Sequence, residues 1–199
     1  MKITFGSNFF KSFKKMLSSE LWYNRWYRFF RYDIARFIKN IWLFRKALYN
    51  HYWWDHHGTM MFLELGIKNM CDKTEKFGIE IAASRMKKVD KMRRVVQIIQ
   101  NYNNGSYVEL AESELGEIAY YPIEFEPVDD RPGYFTIPER GTAEEKEHRS
   151  KVYKRAREIE ENEWNELFEI LKGQDYNKFD DKKDFNEQFD GSGIKGWWD

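Results

Sequence analysis

A chain of 199 residues is long enough for one compact domain with its own core and too short for two comfortable ones, so a single domain over 1–199 is expected. Its 33 basic and 33 acidic residues cancel, which counts against a binder of nucleic acid held by bulk charge, duplex above all. No run of about 18 uncharged apolar residues occurs, so no spanning helix is expected, and the single cysteine, Cys71, excludes an intramolecular disulfide and suits a reducing cytoplasm.

The charges are unevenly placed. Residues 1–50 carry 11 basic and 2 acidic side chains and residues 51–100 carry 9 and 6; residues 101–140 carry 2 and 9, and residues 141–199 carry 11 and 16. A cationic first half can attract an anionic ligand, or the two halves can neutralise each other in the fold or across a subunit interface.

At the start, MKITFGSNFFKSFKKMLSS has an early lysine, but Gly6, Ser7 and Asn8 interrupt any apolar core of a secretion signal, and none is expected. From Ser19 to Tyr52 there is neither Pro nor Gly. Tyr23, Trp26, Tyr27, Phe30, Ile34, Phe37, Ile38, Ile41, Phe44, Leu48 and Tyr52 recur at helical spacing. The pattern predicts one long basic amphipathic helix within 19–57, with the apolar stripe facing a core or a partner helix. Arg25, Arg28, Tyr32, Arg36, Lys39 and Lys46 fall on the opposite side.

Gly58 in HYWWDHHG is the expected break. Two further helices occupy 59–104. The first has Met60, Leu63, Ile67, Met70, Thr74 and Phe77 inward and Gly78 as its stop; the second runs from about Ser84 to Tyr102 with Val89, Met92, Val96 and Ile99 inward and Lys87, Lys91 and Arg94 on another face. Residues 105–141 hold all four prolines and short extended runs such as YYPIEFEP, and read as an acidic irregular arm or hairpin. Thr142 and Glu145 form a capping box that opens a charged helix to Lys172, with Val152, Ala156, Ile159, Leu167 and Ile170 as a narrow apolar line for one neighbour. The tail, 173–199, is polar but studded with Tyr176, Phe179, Phe185, Phe189, Trp197 and Trp198, and should fold over the helices or a second subunit as a clasp. The fold class is therefore mainly α: four principal helices, a Pro-containing insertion and an aromatic C-terminal clasp.

No catalytic motif survives. Gly191, Gly193 and Gly196 match a phosphate-loop spacing, but no strand precedes them and no helix can follow. His51, Asp55, His56 and His57 are close enough for a metal or an acid–base pair, yet their aromatic setting at a helix end reads as capping and packing. No catalytic or metal-binding residue and no cofactor is assigned. Aromatic residues interleaved with Arg and Lys are either core fillers under solvated cations or a surface that stacks bases and neutralises phosphates. A basic amphipathic helix could also lie on an anionic membrane, but the acidic half and the aromatic tail can cover its apolar face, so no membrane partner is expected.

The run LWYNRWYRFFRYDIARFIKNIWLFRKALYNHYWWD and the ending FDGSGIKGWWD resemble a widespread group of short proteins encoded by tailed bacteriophages. Small phage proteins without catalytic motifs include sponges, oligomers that sequester the cyclic oligonucleotide signals of CBASS immunity in the host cytoplasm. The resemblance implies a non-enzymatic binder of a cyclic di- or trinucleotide. Arg25, Arg28, Arg36 and Lys39 would then contact phosphates and Tyr32 would stack on a base. The 36 aromatic residues exceed what one small core can bury, and a homo-oligomer is expected. The alternatives are a phage structural or interaction protein docking through its aromatic surface, and a single-stranded nucleic-acid binder.

Overall fold

The computed structural model describes residues 11, 26–127, 133–138 and 140–197. Arg25, the opening of the first predicted helix, Pro132 and Trp198 lie outside these. The protein is mainly helical and divides into two compact units, Met1–Leu65 and Gly66–Asp199.

In the first unit, helical residues 26–28 lead into a π-helical segment, Phe29–Ile34, and then helix α1, Ala35–Asn50. The chain breaks over residues 51–55 and resumes as α2, His56–Phe77. The break predicted at Gly58 is thus misplaced, because Gly58 lies inside α2. Asp55 starts the helix instead, its carboxylate accepting the His57 N–H at 2.9 Å, a capping geometry that satisfies an otherwise unpaired donor. Gly58 is accommodated because His51 covers that turn; a Cβ there would sit 2.9 Å from the His51 Nδ1. Phe62 packs against Phe44 at 5.7 Å and His51 at 5.6 Å between ring centres, which folds the start of α2 back on the end of α1.

The second unit comprises the remainder of α2, then α3 (Ala82–Asn104), α4 (Tyr107–Leu115), a two-stranded hairpin, α5 (Ala143–Lys172) and the short α6 (Phe185–Gln188). Strands β1, Glu126–Pro127, and β2, Phe135–Thr136, pair antiparallel. Ile67 and Thr74 of α2 are buried as periodicity predicts, and Cys71 is buried beside them, while Phe77 is exposed because the helix ends there, its last turn closed by the Gly78 N–H to the Thr74 carbonyl. Val89, Met92, Val95, Ile98 and Ile99 of α3 and Val152, Ala156, Leu167 and Ile170 of α5 are buried. Helix α4 corrects the expectation of an irregular stretch. Tyr107 and Ala111, one turn apart, bury against Val152 and Ala156, so tertiary packing stabilises nine residues too short and too acidic to form a helix alone. Gly105, in the left-handed conformation, is the joint that ends α3 and lets α4 turn back. Because α5 packs on both α3 and α4, its stripe serves more than the single neighbour expected.

The capping box of α5 forms as predicted: the Glu145 N–H donates to the Thr142 hydroxyl, and the Thr142 N–H donates to the Glu145 carboxylate. The tail closes this unit as a clasp. Phe189 and Trp197 are buried, the Trp197 indole donates to the Gly191 carbonyl at 2.8 Å, and the Gly193 N–H donates to the Ile170 carbonyl of α5. Lys87 of α3 donates to the carbonyls of Asn186 and Phe189 at 2.6 and 2.8 Å.

Gly191 makes this approach possible: its φ is +88°, and a Cβ would lie 2.3 Å from the backbone of Lys87. Gly191→Ala should therefore lower the unfolding free energy by more than about 1 kcal/mol and red-shift tryptophan emission as Trp197 loses its cover. By contrast, Gly66→Ala, inside α2 with nothing described within 4 Å of the added Cβ, should raise stability by about 0.5–1 kcal/mol, with urea titration reading both variants.

Candidate ligand-binding surface

Helices with neither Gly nor Pro expose their side chains in a fixed order, and between Trp26 and Asn50 that order places six cations beside one carboxylate. Arg28, Tyr32, Arg36 and Lys39 of the predicted stripe are all exposed. Lys46, also of that stripe, is exposed too, and Arg25 is outside the described residues. Arg36 and Lys39, three apart in α1, share a face. The π-helical segment stands between Arg28 and that pair, so the angle between them is not that of a straight α-helix. Arg36 donates to Asp33 at 2.7 Å, which partly neutralises it. No ion pair involves Arg28 or Lys39 among the described residues.

The apolar stripe departs from expectation. Phe29 and Ala47 are buried and Ile34 and Phe44 half-buried, but Phe30, Phe37, Ile38, Ile41, Leu48 and Tyr52 are exposed. The helix is amphipathic in pattern, yet only a narrow line along it is covered by described residues. More aromatic surface follows. Trp42 is 68% exposed with the Arg45 guanidinium 4.2 Å above its ring, and Tyr49 and Trp53 are each 87% exposed. Trp53 and Trp54 meet edge to face, and Trp54 stacks on Tyr52 at 5.2 Å. The density of large rings in the HYWWD run is the sequence signal for this cluster.

The cations of the second unit behave differently. Lys87 holds the clasp, Lys88 pairs with Glu80, and Lys91 lies 3.9 Å from Asp190. Arg94 grips Glu166 through two nitrogens at 2.9 and 2.6 Å and also reaches Glu163 at 3.0 Å. Glu163, largely buried, accepts further from Asn101, and Arg155 of α5 holds Glu114 of α4 at 2.7 Å. These pairs consume the basic face of α3 and several carboxylates of α5 within one unit. The hydrogen bond from Arg94 pulls the Glu166 carboxyl below its ordinary value, and that from Arg155 does the same to Glu114. Burial pushes the Cys71 thiol up, and its Sγ contacts the Val89 carbonyl at 3.7 Å, as suits an inert core cysteine.

Asp55 is used as a cap and His51 as packing, and among the described residues no group of three His, Cys, Asp or Glu side chains is arranged to hold a metal. Nor is any described helix long and apolar enough to cross a membrane. Comparison with protein-family models, with curated proteins and with solved structures finds no match to this chain.

Because the folded state holds Glu166 below its ordinary value of 4.5, the unfolded chain takes up that proton first as the solution is acidified. The stabilisation is complete above that value and disappears as pH falls through the folded one. Stability from urea titrations should therefore decline from about pH 5 downward, and less steeply in Arg94→Gln, which should also be weaker at pH 7 by about 1–3 kcal/mol because Glu163 loses its cation. Charge reversal at Arg28 or Lys39 should leave the melt unchanged.

Proposed function

We propose that this chain is a phage-encoded, non-enzymatic binding protein that captures cyclic oligonucleotide immune signals in the host cytoplasm and holds them intact. The observation that carries this reading is the helical stretch 26–50, here termed the basic arm, where Arg28, Tyr32, Arg36 and Lys39 are all exposed and Asp33 is the single acid. A cyclic dinucleotide presents two phosphates and two flat bases, and guanidinium or ammonium groups interleaved with aromatic rings match both. In this reading Arg28, Arg36 and Lys39 contact phosphate oxygens and Tyr32 stacks on a base, with Arg25 as a further phosphate contact. The resemblance of the first helix and the tail to short phage proteins supports the immune-evasion setting.

The aliphatic side of the same arm favours a second role that is compatible with the first. Ile38, Ile41 and Leu48 do not stack on bases, and their exposure beside Phe30 and Phe37 suits packing against another protein. Copies of this chain are the occupant we favour, since a homo-oligomer would bury the aliphatic side and repeat the basic side around one ligand. Docking on a host or virion protein is the competing assignment.

Calorimetric titration with a panel of cyclic di- and trinucleotides should give saturable binding, with intact ligand recovered on denaturation. The double variant Arg28→Glu/Lys39→Glu should lose at least about 100-fold in affinity with an unchanged melt, as expected when phosphate contacts are reversed in sign. Silence across the panel would remove the sponge assignment. Ile38→Glu/Ile41→Glu should convert the oligomer to monomer in sedimentation at micromolar concentration, whereas a wild-type monomer would favour docking on a different protein.

A further inference from the structure

The second unit contains a cleft that the arm does not use. It occupies about 420 Å³ between the start of α3 and the C-terminal clasp, within the range of small-molecule sites. Its two sides are chemically distinct. The clasp supplies rings: Phe185 stacks on Phe189 at 5.3 Å, and Tyr176 lies 6.2 Å from Phe185. The segment leading into α3 supplies polar groups. Glu80 accepts from Lys88 through one oxygen, while its Oε2 is buried with no partner among the described residues. Lys88, which also lines the cleft, is only 8% exposed. Ser84 donates to the side-chain amide oxygen of Asn186, and no hydrogen bond commits the Asn186 NH₂ among the described residues. Ile81, the residue before α3, offers no side-chain cap, so the first-turn N–H groups of α3 remain available beside the cleft.

A buried carboxylate oxygen without a donor is costly and invites one. The two oxygens of the carboxylate are equivalent and its terminal torsion turns readily, so a half-turn exchanges them and leaves one for Lys88 and one for an occupant. The ammonium of Lys88 offsets the charge of Glu80, and the α3 terminus adds positive potential, so the cleft has no net pull on a cation. A flat, neutral ring with N–H donors on one edge and a carbonyl acceptor nearby meets every group present. The donors would address Glu80, the acceptor would address Asn186 or the α3 N–H groups, and the faces would stack on the clasp aromatics.

We propose that this cleft binds a guanine-type base, with Glu80 accepting its ring N–H, Asn186 donating to its carbonyl and Phe185 and Tyr176 providing the stacking wall. The site is independent of the arm and requires no phosphate.

The test uses the full-length protein and ligand-observed NMR with guanosine, 1-methylguanosine and adenosine, none of which carries a phosphate. Guanosine should give saturable transfer from the protein, and 1-methylguanosine, which lacks the ring N–H, should bind at least tenfold more weakly to the unaltered chain. Glu80→Gln should lose guanosine affinity by a similar factor, and Phe185→Ala should weaken all three nucleosides together. No transfer from guanosine, equal binding of guanosine and its 1-methyl derivative, or preferential binding of N-acetylarginine amide would each overturn the assignment.

Discussion

The second unit depends on one close approach of backbone to backbone. The tail reaches α3 at Gly191, where no side chain could stand between it and Lys87. That contact places the Phe189 and Asn186 carbonyls over the Lys87 ammonium and brings Trp197 down onto the Gly191 carbonyl. A second approach at Gly173, where a Cβ would lie 2.4 Å from the Gly193 Cα, fixes where the chain leaves α5 and where it returns. A polar, aromatic-studded segment that would be disordered alone thus acquires backbone partners and burial together. The same contacts bring Tyr176, Phe185 and Phe189 to the start of α3, so the cleft is a product of the clasp.

Charge is handled in opposite ways by the two units. In the second, Lys87, Lys88, Lys91 and Arg94 each have a partner in the same unit, and Glu163 is satisfied from both Arg94 and Asn101. Removing a member of the network of Arg94, Glu163 and Asn101 leaves a desolvated group behind, which makes these three residues costly to alter. In the first unit, Asp33 is the only acid between Trp26 and Asn50, and it engages Arg36. No ion pair involves Arg28 or Lys39 among the described residues, and the exposed rings of the same stretch are of the kind that binding surfaces use.

Much of this was legible in the sequence because it rests on periodicity and on capping chemistry. Val89, Met92 and Ile99 are buried as their spacing indicates, the Thr142–Glu145 box caps α5, and the aromatic tail closes over helices. Helix α4 was not legible, since its nine residues owe their form to the packing of Tyr107 and Ala111 on α5 rather than to local propensity. The break near Gly58 was misplaced for a similar reason, with the Asp55 cap and the His51 ring outweighing the glycine. Of the candidate site, the exposure of Arg28, Tyr32, Arg36 and Lys39 agrees with the predicted stripe, but neither the π-helical turn within it nor the exposure of its apolar side could be read. A hydrophobic period states that a face wants cover and is silent on whether the cover lies in the same chain. The cleft left no trace in the pattern, because it joins Glu80 and Ser84 to residues about a hundred positions away through one glycine contact.

The most direct measurement of the central claim is hydrogen-exchange mass spectrometry of the full chain titrated with a cyclic dinucleotide that carries no guanine. Binding at the arm predicts slowed exchange in peptides spanning residues 26–50, with helices 82–104 and 143–172 unchanged. Unaltered exchange in 26–50 at saturating nucleotide would contradict the account, whether protection then moved elsewhere or failed to develop at all.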